Sequence, residues 1–178
     1  DGSAPRRLTT LNGGASGPVW SATGDRIAFT SSVYPDCGDD ACNAARDKAK
    51  DASKVKARVA ETLLYRHWTS WDEGARSHLF VVAPDGSALQ DLTAGARYDV
   101  PVPPFGGSEA YAFAPDGREV AYTAKDAGRE DAWSTDVNVY TVPVTGGAPT
   151  VITASNKGAD QNPVYSPDGR FIAYASQA

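Results

Sequence analysis

A short phrase occurs three times in this 178-residue chain, and it constrains the fold more than any other feature. It reads WSATGDRIAFTS at residues 20–31, FAPDGREVAYTA at 113–124 and YSPDGRFIAYAS at 165–176. Each copy has an aromatic residue, then a turn whose Gly tolerates a positive φ, and then a segment in which apolar side chains alternate. The phrase therefore predicts three β-hairpins.

A second pattern alternates with the first. LFVVAPDGSALQDLT at 79–93 and VYTVPVTGGAPTVIT at 139–153 each consist of an apolar strand, a Gly-containing turn and a short strand that ends in Leu-Thr or Ile-Thr. The opening residues, DGSAPRRLT, match only the second half of this pattern. Together the two patterns make a repeat of four antiparallel strands, which is typical of β-propeller blades.

The predicted fold class is therefore all-β: a partial β-propeller of about three blades with one partly helical insertion. The predicted divisions are the last strand of a blade (1–10), a blade (11–93) with an insertion (33–77), a second blade (94–153) and the first two strands of a third (154–178). The alternative is a β-sandwich whose turns have a similar composition.

The number of predicted blades raises the question of what completes the fold. Propellers close with about four to eight blades, so we expect this chain to be part of a longer protein or to associate with itself through its open edges. The chain begins with Asp-Gly-Ser and without Met, which also favours a mature form or an excised segment.

Composition excludes some partners. Hydrophobic residues make up 41% and charged residues 22% of the chain, which is ordinary for a soluble globular protein. The net charge of −5 gives no basic surface for nucleic acid. No apolar run approaches the roughly 20 residues that cross a bilayer. We therefore expect neither a nucleic-acid partner nor a membrane span.

The insertion is rich in functional residue types. Its Ala- and Lys-rich segment 41–52 predicts a short exposed helix, and the alternation in 55–65 favours an extended segment, although Leu63 and Leu64 also suit a helix face. Aromatic and Arg side chains are common at binding hot spots. We therefore predict that the residues after position 65 form a substrate-binding or domain-facing surface. Its candidate residues are Arg66, His67, Trp68, Trp71, Asp72 and Glu73.

Other interpretations of these residues remain open. Trp68 and Trp71 could fill the interior of a blade while Arg66 pairs with a nearby acid. Alternatively, the two tryptophans could stack on a carbohydrate.

Cys37 and Cys42 lie close together in a Gly- and Asp-rich loop, which favours a disulfide. Two free thiols are one alternative. A metal site with the neighbouring aspartates is another, but it lacks the usual four-ligand set. A disulfide indicates an oxidising compartment, so we expect a periplasmic or secreted protein.

No catalytic residue is predicted in this chain. It has no G-x-S-x-G motif, no nucleotide-binding loop, and only two histidines, His67 and His78, neither with a recognisable Ser partner. The turn residues Asp25, Asp116 and Asp168 could bind calcium, but in tight turns they more often hydrogen-bond to their own backbone. We expect no cofactor and no metal.

Two longer strings resemble known families. PVYSPDGRFIAYAS resembles the propeller repeat shared by the periplasmic TolB protein and the prolyl oligopeptidase family. Residues 33–82, with DAWSTDVNVYTVPVTGG at 131–147, resemble the N-terminal propeller of bacterial secreted dipeptidyl peptidases and acylaminoacyl-peptidase-like members of that family. The resemblance covers essentially the whole chain.

The resemblance implies a larger serine exopeptidase, in which a propeller of about seven or eight blades adjoins a C-terminal α/β-hydrolase domain with the catalytic Ser, Asp and His. The propeller would limit access to peptides and help to dock the substrate amino terminus. Such members have an acidic residue after Arg-His-Trp, where this chain has Thr69, so Glu61, Asp72 and Glu73 are the nearby acids for an amino group.

The expected function is therefore the non-catalytic propeller part of a serine exopeptidase. The alternative is a TolB-like periplasmic protein-binding module without enzymatic activity.

Overall fold

A computed structural model describes residues 4–177. The elements in chain order are β1 (Ser16–Trp20), β2 (Ile27–Val33), α1 (Asp40–Ala52), β3 (Arg66–His67), β4 (Ser70–Trp71), β5 (Arg76–Val82), β6 (Gln90–Asp91), β7 (Tyr111–Phe113), β8 (Glu119–Ala124), β9 (Asn138–Pro143), β10 (Thr150–Val151), β11 (Asp160–Tyr165) and β12 (Ile172–Ser176), with 3₁₀ turns at Ser108–Ala110 and Gly128–Glu130.

The strands form two four-stranded antiparallel sheets and two smaller hairpins. The first sheet has the order β1-β2-β5-β6 and the second the order β10-β9-β8-β7. The pairs β11-β12 and β3-β4 are separate two-stranded sheets. The mainly antiparallel β class with one helical segment is therefore confirmed, and none of the sheets in the described residues is closed.

The three copies of the repeated phrase form the hairpins β1-β2, β7-β8 and β11-β12, as predicted. Their turn glycines, Gly24, Gly117 and Gly169, have φ of 73°, 70° and 70°. Residues that have a Cβ rarely adopt this left-handed backbone conformation, because the Cβ atom comes too close to the following carbonyl oxygen. Residues 4–15 precede β1 and contain no strand.

The first four-stranded sheet is apolar on both faces. Ala28, Leu79 and Val81 share one core cluster with residues of the second sheet, while Ile27 and Phe29 belong to a separate cluster on the opposite face. A strand buried on both sides has a nearly continuous apolar sequence rather than a strict alternation. Because both faces of the sheet are covered at least in part, most residues of β2 and β5 are buried along the length of the strands.

The hairpin β11-β12 packs against the second sheet through contacts of β11 with β7, β8 and β9. The Tyr165 hydroxyl donates a 2.8 Å hydrogen bond to Oε1 of Glu119. Burial, followed by this bond to a carboxylate, raises the pKa of Tyr165 and keeps its phenol neutral. The two four-stranded sheets and the hairpin β11-β12 thus pack one after another in chain order.

The insertion begins with the helix that its composition predicts. The N-cap of α1 is Asp39, whose Oδ1 accepts a 2.8 Å hydrogen bond from the amide of Cys42. A disulfide joins Cys37 to Cys42 beside this cap. Residues 53–60 have neither helix nor strand, so the predicted extended segment does not form regular structure.

No helix within residues 4–177 is both long and apolar enough to cross a membrane.

Candidate functional site

A cleft of about 620 Å³ lies between the insertion and loops that belong to both four-stranded sheets. One wall comes from α1 and residues 62–73, and the other comes from loop 97–103 and loop 125–131. Its size is within the roughly 300–1,000 Å³ range of ligand pockets in proteins. Because the walls come from distant parts of the chain, only the folded protein assembles this cleft.

Five of the six residues predicted for a site line the cleft: Arg66, His67, Trp71, Asp72 and Glu73. Trp68 is not part of the lining. Its ring meets Phe105 edge-on at 5.8 Å between ring centroids, and its side chain is 71% exposed. The structure therefore brings together most of these candidates but leaves Trp68 outside the cleft.

A small hairpin presents these residues. In β3-β4, Arg66 pairs with Trp71 and His67 pairs with Ser70. Trp68 lies in the turn with φ of 45°, which is rare for a bulky residue. Since Trp68 and Trp71 are 71% and 44% exposed, the alternative that they fill the interior of a blade is wrong.

The two acids that follow the hairpin are already bound by cations. Arg76 donates two 2.9 Å hydrogen bonds to Asp72. Lys50 and Arg58 bind Glu73 at 2.6 and 3.3 Å. These contacts attach the hairpin to α1 and β5, so both carboxylates serve to hold the cleft wall.

The pKa values of both acids reflect this pairing. Partial burial raises the pKa of Asp72, but the hydrogen bonds from Arg76 and the Gly74 amide outweigh it and lower the pKa overall. The hydrogen bonds from Lys50 and then Arg58 lower the pKa of Glu73. Both groups are therefore ionised at neutral pH, with little negative charge left for a ligand.

The aromatic ring of Trp71 organises the cations around it. The guanidinium carbon of Arg58 lies 4.7 Å from the ring centroid, and that of Arg66 lies 5.9 Å away. Tyr65 stacks on the same ring at 6.1 Å. Within residues 4–177 Arg66 has no acidic partner, so the interpretation that it pairs with a nearby acid is wrong.

The sequence analysis missed three acids on the opposite wall: Asp99, Asp126 and Asp131. Asp131 is paired with Lys125 at 3.1 Å. Oδ1 of Asp99 accepts a 2.7 Å hydrogen bond from the Ser77 amide, and burial raises the pKa of this carboxyl. Asp126 is exposed and, in the part of the chain that the structure describes, has no hydrogen-bonded or ion-paired partner. Only the prolines of loop 97–103 and the single glycine of loop 125–131 could have indicated these loops in advance, and that signal is weak.

Stacked tyrosines support the cleft from below. Tyr98 lines the cleft and stacks on Tyr122 and Tyr140, with centroids 6.4 and 5.9 Å away. The hydroxyls of Tyr98 and Tyr122 are 2.8 Å apart. Burial raises the pKa of Tyr140 to about 12. The cluster is therefore a neutral, rigid base under the loop 97–103.

The histidines have different environments. His78 is buried, with Nδ1 2.8 Å from an Asp91 carboxylate oxygen and Nε2 2.9 Å from the Ala96 carbonyl. These contacts hold the loop after β6 against β5, which is a structural role. His67 is exposed and meets the Trp68 ring edge-on at 5.7 Å. No serine hydroxyl within residues 4–177 is hydrogen-bonded to either imidazole.

The aspartates of the repeated turns bond locally. Asp116 and Asp168 accept hydrogen bonds from the amides of Arg118 and Arg170, at 3.0 and 3.1 Å, as expected for tight turns. Asp25 accepts from side-chain hydroxyls instead. Within the described residues there is no group of three or more side chains suited to hold a metal ion.

With this geometry in place, comparison with known proteins first identifies the fold. The chain matches no protein-family model. The crystal structure of TolB from Acinetobacter baumannii superposes with a TM-score of 0.51 at 16% identity, covering 97% of this chain and 29% of that one. At this identity the likeness concerns the fold alone.

Sequence comparison then identifies a more specific relationship. A dipeptidyl-peptidase 5 of Porphyromonas endodontalis is 31% identical over 180 residues, covering 99% of this chain and 25% of that protein. A dipeptidyl-peptidase 5 of Porphyromonas gingivalis is 30% identical over 167 residues, covering 92% and 24%. That of Trichophyton equinum is 31% identical over 189 residues, covering 95% and 25%.

The chain is therefore a homologue of part of these dipeptidyl peptidases, and the resemblance inferred from its sequence is confirmed. It spans about a quarter of the length of the curated relatives that it matches.

Proposed function

We propose that this chain is part of the β-propeller of a larger serine dipeptidyl peptidase, in which it limits access and positions peptide substrates. The alignment of nearly the whole chain with dipeptidyl-peptidase 5 proteins carries this proposal. The chemical step then belongs to an α/β-hydrolase domain outside these residues.

The way in which the sheets stack supports a propeller. Val120 and Tyr122 of the second sheet share a core cluster with Ala28 of the first. The repeated phrase places Ile27 and Phe29 of the first sheet at the positions of Val120 and Tyr122. The face of the first sheet that carries Ile27 and Phe29 is thus equivalent to the face of the second sheet that packs against the first. It could pack against a further sheet in the same way.

That second face is only partly covered. Leu8 and Leu11 of the strandless segment 4–15 pack against it, and an apolar groove of about 320 Å³ remains between this segment and Ile27 and Phe29. A further four-stranded sheet that presents small residues, as Ala28 does between the two sheets, fits this groove. Continued stacking of this kind is what builds a propeller.

The cleft provides the positioning role. Asp126 is an exposed carboxylate on its wall, whereas Asp72 and Glu73 are engaged by cations. Glu61 is outside the cleft lining. We therefore assign the contact with the substrate amino group to Asp126, because an ammonium group is recognised best by an unengaged carboxylate.

The disulfide supports an extracytoplasmic location, since the bond between Cys37 and Cys42 persists in an oxidising compartment. Both a periplasmic and a secreted protein fit this proposal.

The test uses the intact protein that carries this sequence. Hydrolysis of Ala-Ala-p-nitroanilide and of its N-acetylated form is measured for the unaltered protein and for Asp126→Asn. We expect release of dipeptide only from the free amino terminus, and a KM that rises by about tenfold in the variant with little change in kcat. Asp116→Asn, in a remote turn, is the matched control.

A protein that cleaves neither substrate contradicts the proposal and favours the alternative of a TolB-like protein-binding module. If Asp126→Asn cleaves Ala-Ala-p-nitroanilide as well as the unaltered protein does, the peptidase assignment stands, but Asp126 does not bind the substrate amino group.

A further inference from the structure

Two arginines on the cleft wall have no ion-pair partner in the described chain. Of the five Lys and Arg side chains that line the cleft, Lys50, Arg76 and Lys125 each have a carboxylate oxygen within 3.1 Å. Arg66 and Arg97 have no carboxylate at ion-pair distance anywhere in residues 4–177, and both are exposed. They are the cations available to a ligand.

Arg66 is held in a suitable orientation. Its guanidinium lies over the Trp71 ring at 5.9 Å, and its backbone pairs with Trp71 in the hairpin β3-β4. A guanidinium held through its face by an aromatic ring keeps its edge N–H groups available. Those edges match the two oxygens of a carboxylate in a bidentate contact.

Arg97 is fixed through its backbone. Its carbonyl accepts a 3.1 Å hydrogen bond from Nε of Arg76, whose guanidinium is itself bound by Asp72. The charge of Arg97 contributes to the lowered pKa of Asp36, after the larger effect of the hydrogen bonds from Arg46. Because Arg46 binds Asp36 directly, Arg97 retains its own charge for another partner.

The nearby acids compete only weakly for these arginines. Asp126, the unengaged acid of the cleft, forms no ion pair with either of them in the described residues. Asp72 and Glu73, the acids next to Arg66 in the sequence, are held by Arg76 and by Lys50 with Arg58. To bind either carboxylate, Arg66 would have to replace a cation that is already hydrogen-bonded to it. An external carboxylate meets no such cost.

We infer that Arg66 and Arg97 form a carboxylate-binding subsite in the cleft, which favours peptides with an acidic side chain or a free C-terminal carboxylate. The two arginines lie on opposite walls, Arg66 on the insertion and Arg97 on loop 97–103. A carboxylate bound between them would also bridge these walls. The choice of a peptide as the ligand rests on the proposed function.

The test measures binding of small probes that have no free amino terminus. The intact protein is titrated with N-acetylaspartate N-methylamide and its neutral isostere N-acetylasparagine N-methylamide. A second pair is N-acetylalanine and N-acetylalanine N-methylamide. Dissociation constants come from ligand-observed NMR. We expect the charged member of at least one pair to bind about tenfold more tightly than its neutral partner.

Variants then assign that preference to the two arginines. Arg66→Gln and Arg97→Gln should each reduce the preference to about threefold or less, and the double variant should abolish it. Arg66→Lys keeps the charge but loses the bidentate geometry, so an intermediate preference is expected. The control is Arg170→Gln, because Arg170 lies over the Phe171 ring at a similar 5.7 Å but does not line the cleft.

The outcomes are distinct. A preference for the aspartate probe alone assigns the subsite to acidic side chains, and a preference for N-acetylalanine alone assigns it to C-terminal carboxylates. Equal binding within both pairs, or a preference that survives in the double variant, overturns the inference.

This result is separable from the test of the proposed function, because the probes need neither hydrolysis nor an amino terminus. Charge-selective binding without dipeptide release would support the subsite and contradict the peptidase assignment. Dipeptide release without charge selectivity would do the reverse.

Discussion

The two four-stranded sheets come from the same repeat but connect their central strands differently. In the second sheet, β8 and β9 are joined by the short loop 125–137. In the first, β2 and β5 are joined by the insertion, which carries α1, the disulfide and the hairpin β3-β4. The strands that pair are equivalent, so the repeat determines the sheets, while the length of one connection provides most of the cleft.

The sheets and the insertion also differ in what stabilises them. The second sheet has its Val120 and Tyr122 face buried against the first sheet. The insertion has exposed aromatic residues, an internal disulfide at the entry to α1, and ion pairs at its surface. We therefore expect the sheets to depend on burial and the insertion to depend on covalent and electrostatic contacts. Three measurements test this difference.

The largest effect is expected from Tyr122→Ala in the second sheet. Tyr122 is fully buried, stacks on two tyrosines and shares a hydroxyl hydrogen bond with Tyr98. Removing a large buried aromatic side chain costs about 3–5 kcal/mol of the free energy of unfolding. Urea unfolding of the intact protein, followed by circular dichroism, measures this cost.

The control for this variant is Phe29→Ala, at the equivalent position of the first sheet. Phe29 is almost fully buried, but it borders the open groove and stacks on one ring rather than two, so its loss should cost less than that of Tyr122. Equal costs would show that the two faces are equally covered in the intact protein and would remove the difference.

A smaller and local effect is expected from the double variant Cys37→Ser and Cys42→Ser. Closing so short a loop contributes about 2 kcal/mol in the chain-entropy description of disulfides. Since the bond joins only the entry to α1, the loss of hydrogen-exchange protection should be confined to Asp40–Ala52 and its contacts. Equal loss of protection in β8 and β9 would show that the insertion and the sheets unfold as one unit.

The smallest effects are expected from pH, and they have opposite signs in the two regions. Asp72 and Glu73 have lowered pKa values in the folded state. Their contribution is therefore present above the unfolded pKa of about 4 and is lost as pH falls through the folded pKa. Acid should loosen the insertion before the sheets.

At high pH the order should reverse. Burial raises the pKa of Tyr140 to about 12 and also raises that of Tyr122. Their contribution is fully present below the unfolded pKa of about 10 and is lost as pH rises beyond it. Hydrogen exchange at pH 3, 7 and 11 measures both regions inside these pH windows. The same order of opening at all three pH values would contradict the proposed division.

Much of the fold could be predicted from local sequence. The Gly-containing turns, the aromatic residues before them and the alternating strands after them identified three hairpins, because a two-residue period and a left-handed turn are local properties. The Ala- and Lys-rich composition of Ala41–Ala52 identified the helix for the same reason. The segment 55–65, predicted to be extended, forms no β-strand, since alternation without a neighbouring strand to pair with does not make one.

The candidate site was only partly predictable. The dense run around Trp71 indicated one wall of the cleft, but nothing local indicated that Tyr98, Asp99 and Asp126 would face it. The same limit applies to charge. The sequence shows that Asp72, Glu73 and Arg66 are charged, but not which of them has a partner.

The sequence by itself thus determined the hairpins, the helix and the repeat, because these follow from the chemistry of neighbouring residues. The tertiary structure decided which charges of the cleft remain available. It brings Lys50 to Glu73 and Arg76 to Asp72 and leaves Arg66 without an acid in the described chain. Ion pairing depends on distances between separate segments, and only the packing of the insertion against both sheets sets those distances.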